Sequence, residues 1–403
     1  MPESLPAPAP LSTARPRGCP FDPPAELGAL RDRHPLSRMS YPDGHVGWLV
    51  TGHALARAVA ADRRFSSRQE LMRLPTPRNG VPAGPLPPAP PGMFVSHDAP
   101  EHTRYRRLLA GRFTVRRMRA LTERVEQITA ERLDAMEGEG PGVDLVVAFA
   151  QPVPALMICE LLGVPSGDHG HFQRLVSSTN DQNASLEEVG AAMAELGGFL
   201  HGLVLAKRAS PTDDLLGELV GEDLTDEELT NIAVLLLGAG LDTTANMIAL
   251  GAFALFTAPE QIAALSEGPE AVDRAVEELL RYLTIAHTGV RTALEDVELG
   301  GHLIRAGDSV TISALAADRD PAKFTDPDVL DLRRDATGHL ALGHGAHQCL
   351  GQQLARVELR VALPALFERF PTLRPAVPAD EVAVREDSDI HGVYSLPVTW
   401  DEV

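Results

Sequence analysis

The longest apolar pattern in the chain runs through residues 225–258. Residues 232–241 are all apolar or glycine, and residues 247–256 are apolar or glycine again. Thr225 and Glu228 have the spacing of a capping box, which satisfies backbone N–H groups at the start of a helix. The pattern predicts a long helix that is apolar on every side, and such a helix either lies in the core or spans a membrane.

Polar residues interrupt the middle of this predicted helix at Asp242, Thr243, Thr244 and Asn246. A buried polar group costs on the order of 2–7 kcal/mol unless it is bonded, so a membrane-spanning helix is disfavoured and a core helix is predicted. These side chains form either a polar notch that faces a cavity or a bridge to a neighbouring helix. The pattern alone leaves both open.

Helical patterns also dominate the rest of the chain. Short strand-like runs occur at residues 47–51 and 396–400, and alternating β-α-β units are absent. The sequence therefore predicts a mainly α fold with small accessory β-sheets. Residues 271–283 have a clear amphipathic helix pattern, and the pair of Glu278 and Arg281 on its polar side is typical of a solvated face.

The composition limits the class of partner. Acidic residues outnumber basic ones by 56 to 36, and the resulting formal charge of −20 opposes binding to nucleic acid and to anionic membranes. The three widely spaced cysteines do not form a disulfide framework, and the N-terminus lacks the order of a signal peptide. These features predict a soluble cytoplasmic protein without a membrane anchor.

Two stretches of the chain are rich in proline. Residues 1–20 are predicted to form a loosely ordered tail, and residues 21–403 a single domain. Residues 74–91 contain eight prolines, which exclude a regular helix or sheet interior. Because folded-looking sequence lies on both sides, this second stretch predicts a long ordered loop or lid.

A cysteine lies in a glycine-rich segment, residues 341–351, which reads Ala-Leu-Gly-His-Gly-Ala-His-Gln-Cys-Leu-Gly. The glycines allow tight bends that bring N–H groups toward Cys349, and the helix predicted from Gln352 adds a positive N-terminus. Both features favour a thiolate over a thiol. The segment predicts either a metal ligand or a nucleophile, for which His344 or His347 would be the base.

Basic residues concentrate near a predicted helix that starts at Asp98 or Pro100. His102 and Arg106 lie one turn apart on this helix and could hold an anion such as a carboxylate. Residues 104–119 contain seven arginines and no acid. In an acidic chain this reversal indicates a docking surface for an acidic partner, although a solvated face is the commoner meaning of a charge run.

Taken in order, these segments resemble the cytochrome P450 family over nearly the whole chain, in the style of its soluble actinobacterial members. Residues 341–351 are similar to its heme-binding loop, residues 239–243 (Ala-Gly-Leu-Asp-Thr) to its oxygen-activation motif, and residues 278–281 (Glu-Leu-Leu-Arg) to its Glu-x-x-Arg signature. The resemblance implies the P450 fold, with heme b (iron protoporphyrin IX) buried between the long central helix and the cysteine loop.

The resemblance also implies roles for individual residues. Cys349 is expected to bind the heme iron as thiolate and to push electron density toward it. Asp242 and Thr243 are expected to organise water and deliver protons to bound oxygen. Against the surface interpretation above, Arg334 is expected to complete a buried network with Glu278 and Arg281. The other expected heme contacts are His102, Arg106, Arg291 and His347 at the two propionates and Gly343 in the loop.

The activity implied by this resemblance is that of a monooxygenase. It inserts one oxygen atom from O2 into a lipophilic small molecule, such as a secondary-metabolite intermediate. Electrons are expected from an acidic ferredoxin, docked on the arginine-rich region, and from a ferredoxin reductase behind it. The expected substrate pocket is lined by Met93, Phe94, Ala239, Ile285, His287, Val290, His391 and Val393.

Three alternatives stay open at this stage. They are oxidative coupling or rearrangement without net oxygen insertion, a cysteine-nucleophile enzyme, and a heme-binding regulator. Two positions also depart from the family pattern. Leu342 stands where phenylalanine is usual, which affects the tuning of the iron potential, and Asp318 replaces a more usual asparagine.

Overall fold

The computed structural model describes residues 5–16, 19–77, 84–179, 185–385 and 388–401. The predicted tail therefore lies outside the described residues at positions 1–4 and 17–18, and the predicted proline-rich loop at positions 78–83. The described part of the tail lies against a sheet. There the carbonyl of Ala9 accepts a hydrogen bond from the Ser40 N–H at 3.0 Å, and Leu11 packs beside Met39 and Tyr41.

Helices form most of the described structure, as the sequence predicts. Their bounds are α1 (Ala25–Arg33), α2 (His53–Ala61), α3 (Glu101–Ala110), α4 (Val115–Ala120), α5 (Thr122–Glu139), α6 (Pro152–Leu162), α7 (His169–Thr179), α8 (Leu186–Ala209), α9 (Leu215–Leu219), α10 (Asp226–Thr257), α11 (Pro269–Leu283), α12 (Ala314–Ala317) and α13 (Gln352–Arg369).

The strands are short and form accessory sheets. They are β1 (Leu36–Ser40), β2 (Val46–Val50), β3 (Phe65–Ser66), β4 (Thr288–Ala293), β5 (Val297–Leu299), β6 (His302–Ile304), β7 (Ser309–Ser313), β8 (Arg374–Pro375), β9 (Ala383–Val384), β10 (Val393–Ser395) and β11 (Val398–Thr399). The largest sheet has five strands in the order β1-β2-β7-β4-β3, and β2 and β7 pair in parallel. The other sheets are two-stranded: β9 with β10, β8 with β11, and β5 with β6.

The predicted central helix is α10. Its capping box is formed as expected: the Thr225 N–H donates to Glu228 Oε2 at 2.7 Å, and the Glu228 N–H donates to Thr225 Oγ1 at 3.1 Å. The 32 residues of α10 span about 48 Å at the ordinary rise of a helix. The helix packs against α6, α8, α11 and α13, so its apolar surface lies in the core.

Among the described residues, two helices, α8 and α10, are long and apolar enough to cross a membrane, judged by length and composition alone. In α10, 61% of the most apolar window is buried inside the protein. The corresponding share in α8 is 28%, and α8 packs along α7 and α10. The apolar character of α10 is therefore explained by its place in the core.

Glu278 and Arg281 of α11 are both fully buried. The Arg281 Nε and Nη2 donate to the two Glu278 oxygens at 2.7 and 2.9 Å, and the Arg334 Nε donates to Glu278 Oε1 at 3.1 Å. The Asp331 N–H adds a bond at 3.0 Å. The surface interpretation of this pair is therefore wrong, because α11 turns the pair toward residues 318–334 instead of toward solvent.

Asp318 lies fully buried beside this network. Its Oδ1 accepts from the Leu340 N–H at 2.7 Å, and its Oδ2 accepts from the Thr284 hydroxyl at 3.0 Å. Burial raises the pKa of Asp318. Two donors point at this side chain, and a carboxyl group can accept from both, which is a physical reason for an acid at this position.

Candidate active site

Cys349 lies in a loop that closes one end of the core. Gly343 and Gly345 turn this loop with positive φ values of 70° and 75°, which glycine adopts without strain. A Cβ atom on Gly345 would lie 2.4 Å from the carbonyl oxygen of Ala60, so this glycine is also required for close packing against α2. The Cys349 N–H donates to the Leu342 carbonyl at 2.8 Å, which fixes the direction of the cysteine.

The start of α13 surrounds the cysteine sulfur with donors. The backbone N–H groups of Gly351 and Gln352 bond to the sulfur and lower its pKa, and the charges of Arg106 and Arg356 act in the same direction. Burial is nevertheless the largest effect and leaves the pKa of the Cys349 thiol raised. Because a coordinated metal cation deprotonates a thiol outright, the sulfur is better suited to metal ligation than to nucleophilic attack.

The histidines near Cys349 do not act as its base in this geometry. Within the described residues, neither His344 nor His347 bonds to the sulfur, and Nδ1 of His347 is buried without any partner. A nucleophilic cysteine requires a base within hydrogen-bond reach. The described residues therefore offer no arrangement of the cysteine-nucleophile type around Cys349.

The middle of α10 faces the cysteine loop across two adjacent cavities of about 320 and 150 Å³. Both cavities are lined by Ala239 and Thr243 of α10 and by His347 and Cys349 of the loop. Leu342, the position of the missing aromatic ring, lines the larger one. We call this shared space the inner cavity. Two of the polar residues of α10, Thr243 and Thr244, thus face a cavity. Asp242 lines neither cavity and instead bridges to Arg385, so each of the two arrangements that the pattern allows is present in part.

One end of the inner cavity is strongly basic. The His102 and His347 rings lie 4.0 Å apart, centroid to centroid, and His102 Nε2 is buried without a partner in the described structure. Burial, together with neighbouring Arg106 and Arg291, lowers the pKa of His102, and it lowers that of His347 to about 3. Burial also lowers the pKa of both arginines. These neutral imidazoles and buried guanidiniums form a site for anionic groups.

This end of the cavity fits the carboxylates of a heme. Within the described residues, neither Arg106 nor Arg291 forms an ion pair with an acid, so a propionate would meet unpaired guanidinium donors there. Two orphaned imidazole nitrogens supply further polar contacts. With a cysteine ligand at one side and basic groups at one end, the inner cavity provides the contacts that heme needs.

Thr243 and Asp242 occupy the wall of α10 in different ways. The Thr243 hydroxyl donates back to the Ala239 carbonyl at 2.6 Å while lining the inner cavity. Asp242 Oδ1 accepts from Arg385 Nη1 at 2.7 Å and from Asn246 Nδ2 at 3.1 Å. The acid is therefore tied to a residue 143 positions away in the chain.

Sequence reasoning missed two polar residues at this site. Arg385 is the first, because its partner lies far away in the chain. Glu358 of α13 is the second: it is fully buried, lines the inner cavity and bonds to the Thr244 hydroxyl. Burial raises the pKa of Glu358 to about 8. A single acid on the apolar face of a predicted helix was the signal that could have revealed it.

The expected substrate-pocket residues fall into three groups. Phe94, Ala239 and Ile285 line the inner cavity. His287 and His391 instead line a separate cavity of about 710 Å³. The ring nitrogens of these histidines bond to the carbonyls of Ser388 and Pro20, at 3.1 and 2.9 Å.

The third group consists of Met93, Val290 and Val393. These residues line neither the inner cavity nor the 710 Å³ cavity within the described structure. Val393 packs into the main hydrophobic core, where it is 2% exposed.

Comparison with known proteins defines the family. The family model for Cytochrome P450 matches residues 199–381. Cytochrome P450 105C1 of a Streptomyces species is 51% identical over 98% of this chain and 99% of its own length. Pentalenic acid synthase of Streptomyces avermitilis is 45% identical, with 97% and 98% covered.

Solved structures agree with these relatives. Cytochrome P450 MoxA of Nonomuraea recticatena has a TM-score of 0.90 at 43% identity, covering 98% of this chain and 99% of that one. CYP105P1 in complex with filipin I has the same TM-score and identity and is covered completely, against 98% of this chain. The chain belongs to the cytochrome P450 family. It is a heme-thiolate monooxygenase, and its cofactor is heme b.

Proposed function

We propose that this enzyme inserts one oxygen atom of O2 into a lipophilic small molecule, such as an intermediate of secondary metabolism. The observation that carries the proposal is the largely apolar inner cavity, in which Cys349 and Thr243 belong to two facing elements. Heme bound there supplies the activation of O2. Among the relatives, one is named for synthesis of pentalenic acid and another, from Nocardia uniformis, for N-oxygenation of nocardicin C, which supports this substrate class.

Asp242 and Thr243 are proposed to move the protons of this reaction. Inserting one oxygen atom while reducing the other to water consumes two electrons and two protons from outside the substrate. The Thr243 hydroxyl is anchored on the Ala239 carbonyl, so its oxygen can still accept a bond at the cavity wall. When proton delivery is impaired, the same two electrons and two protons convert O2 to hydrogen peroxide instead.

An acidic ferredoxin is proposed to deliver the electrons to a surface beside α13. Of the seven arginines in residues 104–119, three pair with acids of the protein itself, and Arg106 faces the inner cavity. Arg107, Arg116 and Arg119 are exposed and form no ion pair with described residues. Because α4 packs against α13, these charges lie near the helix that follows the cysteine ligand. We propose that this exchange takes place in the cytosol.

The thiolate ligand is tested by the spectrum of the reduced protein under carbon monoxide. The native protein is expected to show the band that is characteristic of the family. Cys349→Ser should abolish this band, whereas Cys159→Ser, which alters a buried cysteine of the core, should keep it. A colourless native protein whose Cys349 reacts readily with an alkylating agent would contradict the proposal.

The electron-donor surface is tested by reversing its three unpaired charges. R107E/R116E/R119E should raise the ferredoxin concentration for half-maximal rate at least several-fold, and added salt should reduce the difference. R374E changes a charge that pairs with Asp401 on the surface and serves as control. Equal ferredoxin dependence in both variants would place the docking surface elsewhere.

A further inference from the structure

The 710 Å³ cavity lies outside the inner cavity and contacts it at Thr288 of β4, which lines both. We call it the outer cavity. Its walls come from the N-terminal segment, the five-stranded sheet and the loop that follows β9, including Arg385. Water that enters this space would lie next to Arg385, and Thr288 marks where the outer cavity meets the inner one.

Arg385 connects the outer cavity to the acid of α10. Its Nη1 donates to Asp242 Oδ1 at 2.7 Å, and its Nη2 donates to Ser388 Oγ at 3.2 Å. The side chains of the ion pair are 19% and 30% exposed, for Arg385 and Asp242 respectively. The pair is thus largely shielded from solvent, where such a bond holds geometry better than on an open surface.

The loop that carries Arg385 is pressed onto α10 at the same place. A Cβ atom on Gly392 would lie 1.6 Å from Asn246 Oδ1, so the backbone of Gly392 touches this amide. The Arg385 N–H donates to the Gly392 carbonyl at 2.8 Å, which joins these two residues directly. Asn246 Nδ2 in turn binds Asp242 Oδ1 at 3.1 Å.

Both donors bind the same carboxylate oxygen. Within the described structure Oδ1 of Asp242 accepts from Arg385 and Asn246, whereas Oδ2 accepts from no residue. A carboxylate held at one oxygen by two donors has a fixed orientation, and its second oxygen stays available for water. The two bonds to Oδ1 therefore fix the carboxylate, and Oδ2 is held in one orientation without a protein partner among the described residues.

We propose that Arg385 is the positioning residue of Asp242: it orients the free carboxylate oxygen for proton transfer between the water of the outer cavity and the Thr243 hydroxyl. This inference rests on the proposed function. The loop after β9, which lines the outer cavity, would then also take part in proton delivery. This role of Arg385 requires no contact with the substrate.

The test compares R385Q, R385K and D242N with R374Q, which removes a surface ion pair of the same C-terminal region. Peroxide formed per electron pair is expected to rise several-fold in R385Q and D242N and to stay at the native level in R374Q. R385K keeps the charge and should recover part of the coupling. The solvent deuterium isotope effect on the rate should increase in R385Q, which a purely structural defect would not cause.

A second measurement does not depend on turnover. Hydrogen–deuterium exchange at β9 and β10 should be faster in R385Q and in D242N than in the native protein. The double variant should be no faster than either single one, since both changes break the same bond. Additive exchange in the double variant would overturn the inference.

The outcomes separate this inference from the proposed function. Native coupling in R385Q overturns the role of Arg385, and uncoupling in R385Q without uncoupling in D242N shows that Arg385 does not act through the acid. Neither result affects the thiolate ligand. Failure of the proposed function itself would appear in the native protein, as a missing carbon monoxide band or as a product that contains no oxygen atom from O2.

Discussion

Removing Glu278 should show how strongly the fold depends on one buried network of charges. Its carboxylate accepts four hydrogen bonds of 2.7 to 3.1 Å, from Arg281, Arg334 and the Asp331 N–H. In Glu278→Ala the fully buried Arg281 loses its only acidic partner among the described residues. Breaking a buried pair in this way costs about 3–5 kcal/mol, because an uncompensated charge stays in the core.

Three further variants grade the effect. R334Q should cost less, about 1–3 kcal/mol, because Arg281 keeps its bonds to Glu278. R333Q is the matched control: Arg333 pairs with Glu267, the two side chains are 47% and 43% exposed, and its loss should cost less than about 1 kcal/mol. The apolar double variant E278L/R281M should recover part of the stability lost in Glu278→Ala, since it removes the buried charge of Arg281. Recovery should be incomplete, because Arg334 and the Asp331 N–H still lose their acceptor.

Urea unfolding, followed by the heme absorption and by circular dichroism, measures these differences. Glu278→Ala should lower the midpoint by at least about 1 M. The yield of heme-containing protein should fall in the same order as stability. Equal midpoints for R334Q and R333Q, or a fully native midpoint for Glu278→Ala, would refute the reasoning.

Three other predictions concern acidity and backbone space. Burial acts to raise the pKa of Glu277, but the bonds from Arg356 and His339 outweigh it and lower this pKa from 4.5 to about 2. The stability that Glu277 contributes is complete above pH 4.5 and should be lost as the pH falls toward 2, by at most roughly 3 kcal/mol. E277Q should remove this loss of stability in acid. Burial raises the pKa of Glu358 from 4.5 to about 8, so native stability should fall, by up to roughly 1.4 kcal/mol per pH unit, as pH rises through this interval; E358Q should flatten that slope in urea unfolding, and an unchanged slope would contradict the assignment. Gly345→Ala should lower heme loading strongly because its Cβ meets the Ala60 carbonyl, whereas Gly111→Ala, at φ −63° with open space, should load heme normally.

Local sequence patterns predicted those elements whose structure is determined by residues close together in the chain. The limits of α10 follow from a capping box at one end and Ala258-Pro259 at the other, and both signals lie within a few positions of the helix ends. The loop of Cys349 was equally readable, because its positive-φ glycines are visible in the sequence. Such features are fixed by short-range sterics and hydrogen bonds.

Pairings between distant residues could not be read in this way. The spacing of Glu278 and Arg281 fits a solvated face. Only the family resemblance indicated that the pair is buried and that Arg334, 56 positions after Glu278, bonds to it. The bond between Arg385 and Asp242 spans 143 positions and left no trace in either local pattern. His287 and His391 were expected in the substrate pocket from the family resemblance, and their rings line the outer cavity.

The order of strands in the five-stranded sheet has a consequence for synthesis of the protein. β1 and β2 form a hairpin early in the chain, but the other edge of β2 pairs with β7, about 260 residues later. At the usual rate of about 5–20 residues per second, the ribosome needs roughly 13–52 s to make the missing strand. During this interval the early hairpin keeps an unpaired edge that can bind other chains. Chaperone supply during translation is therefore expected to affect the yield of this protein in a foreign host.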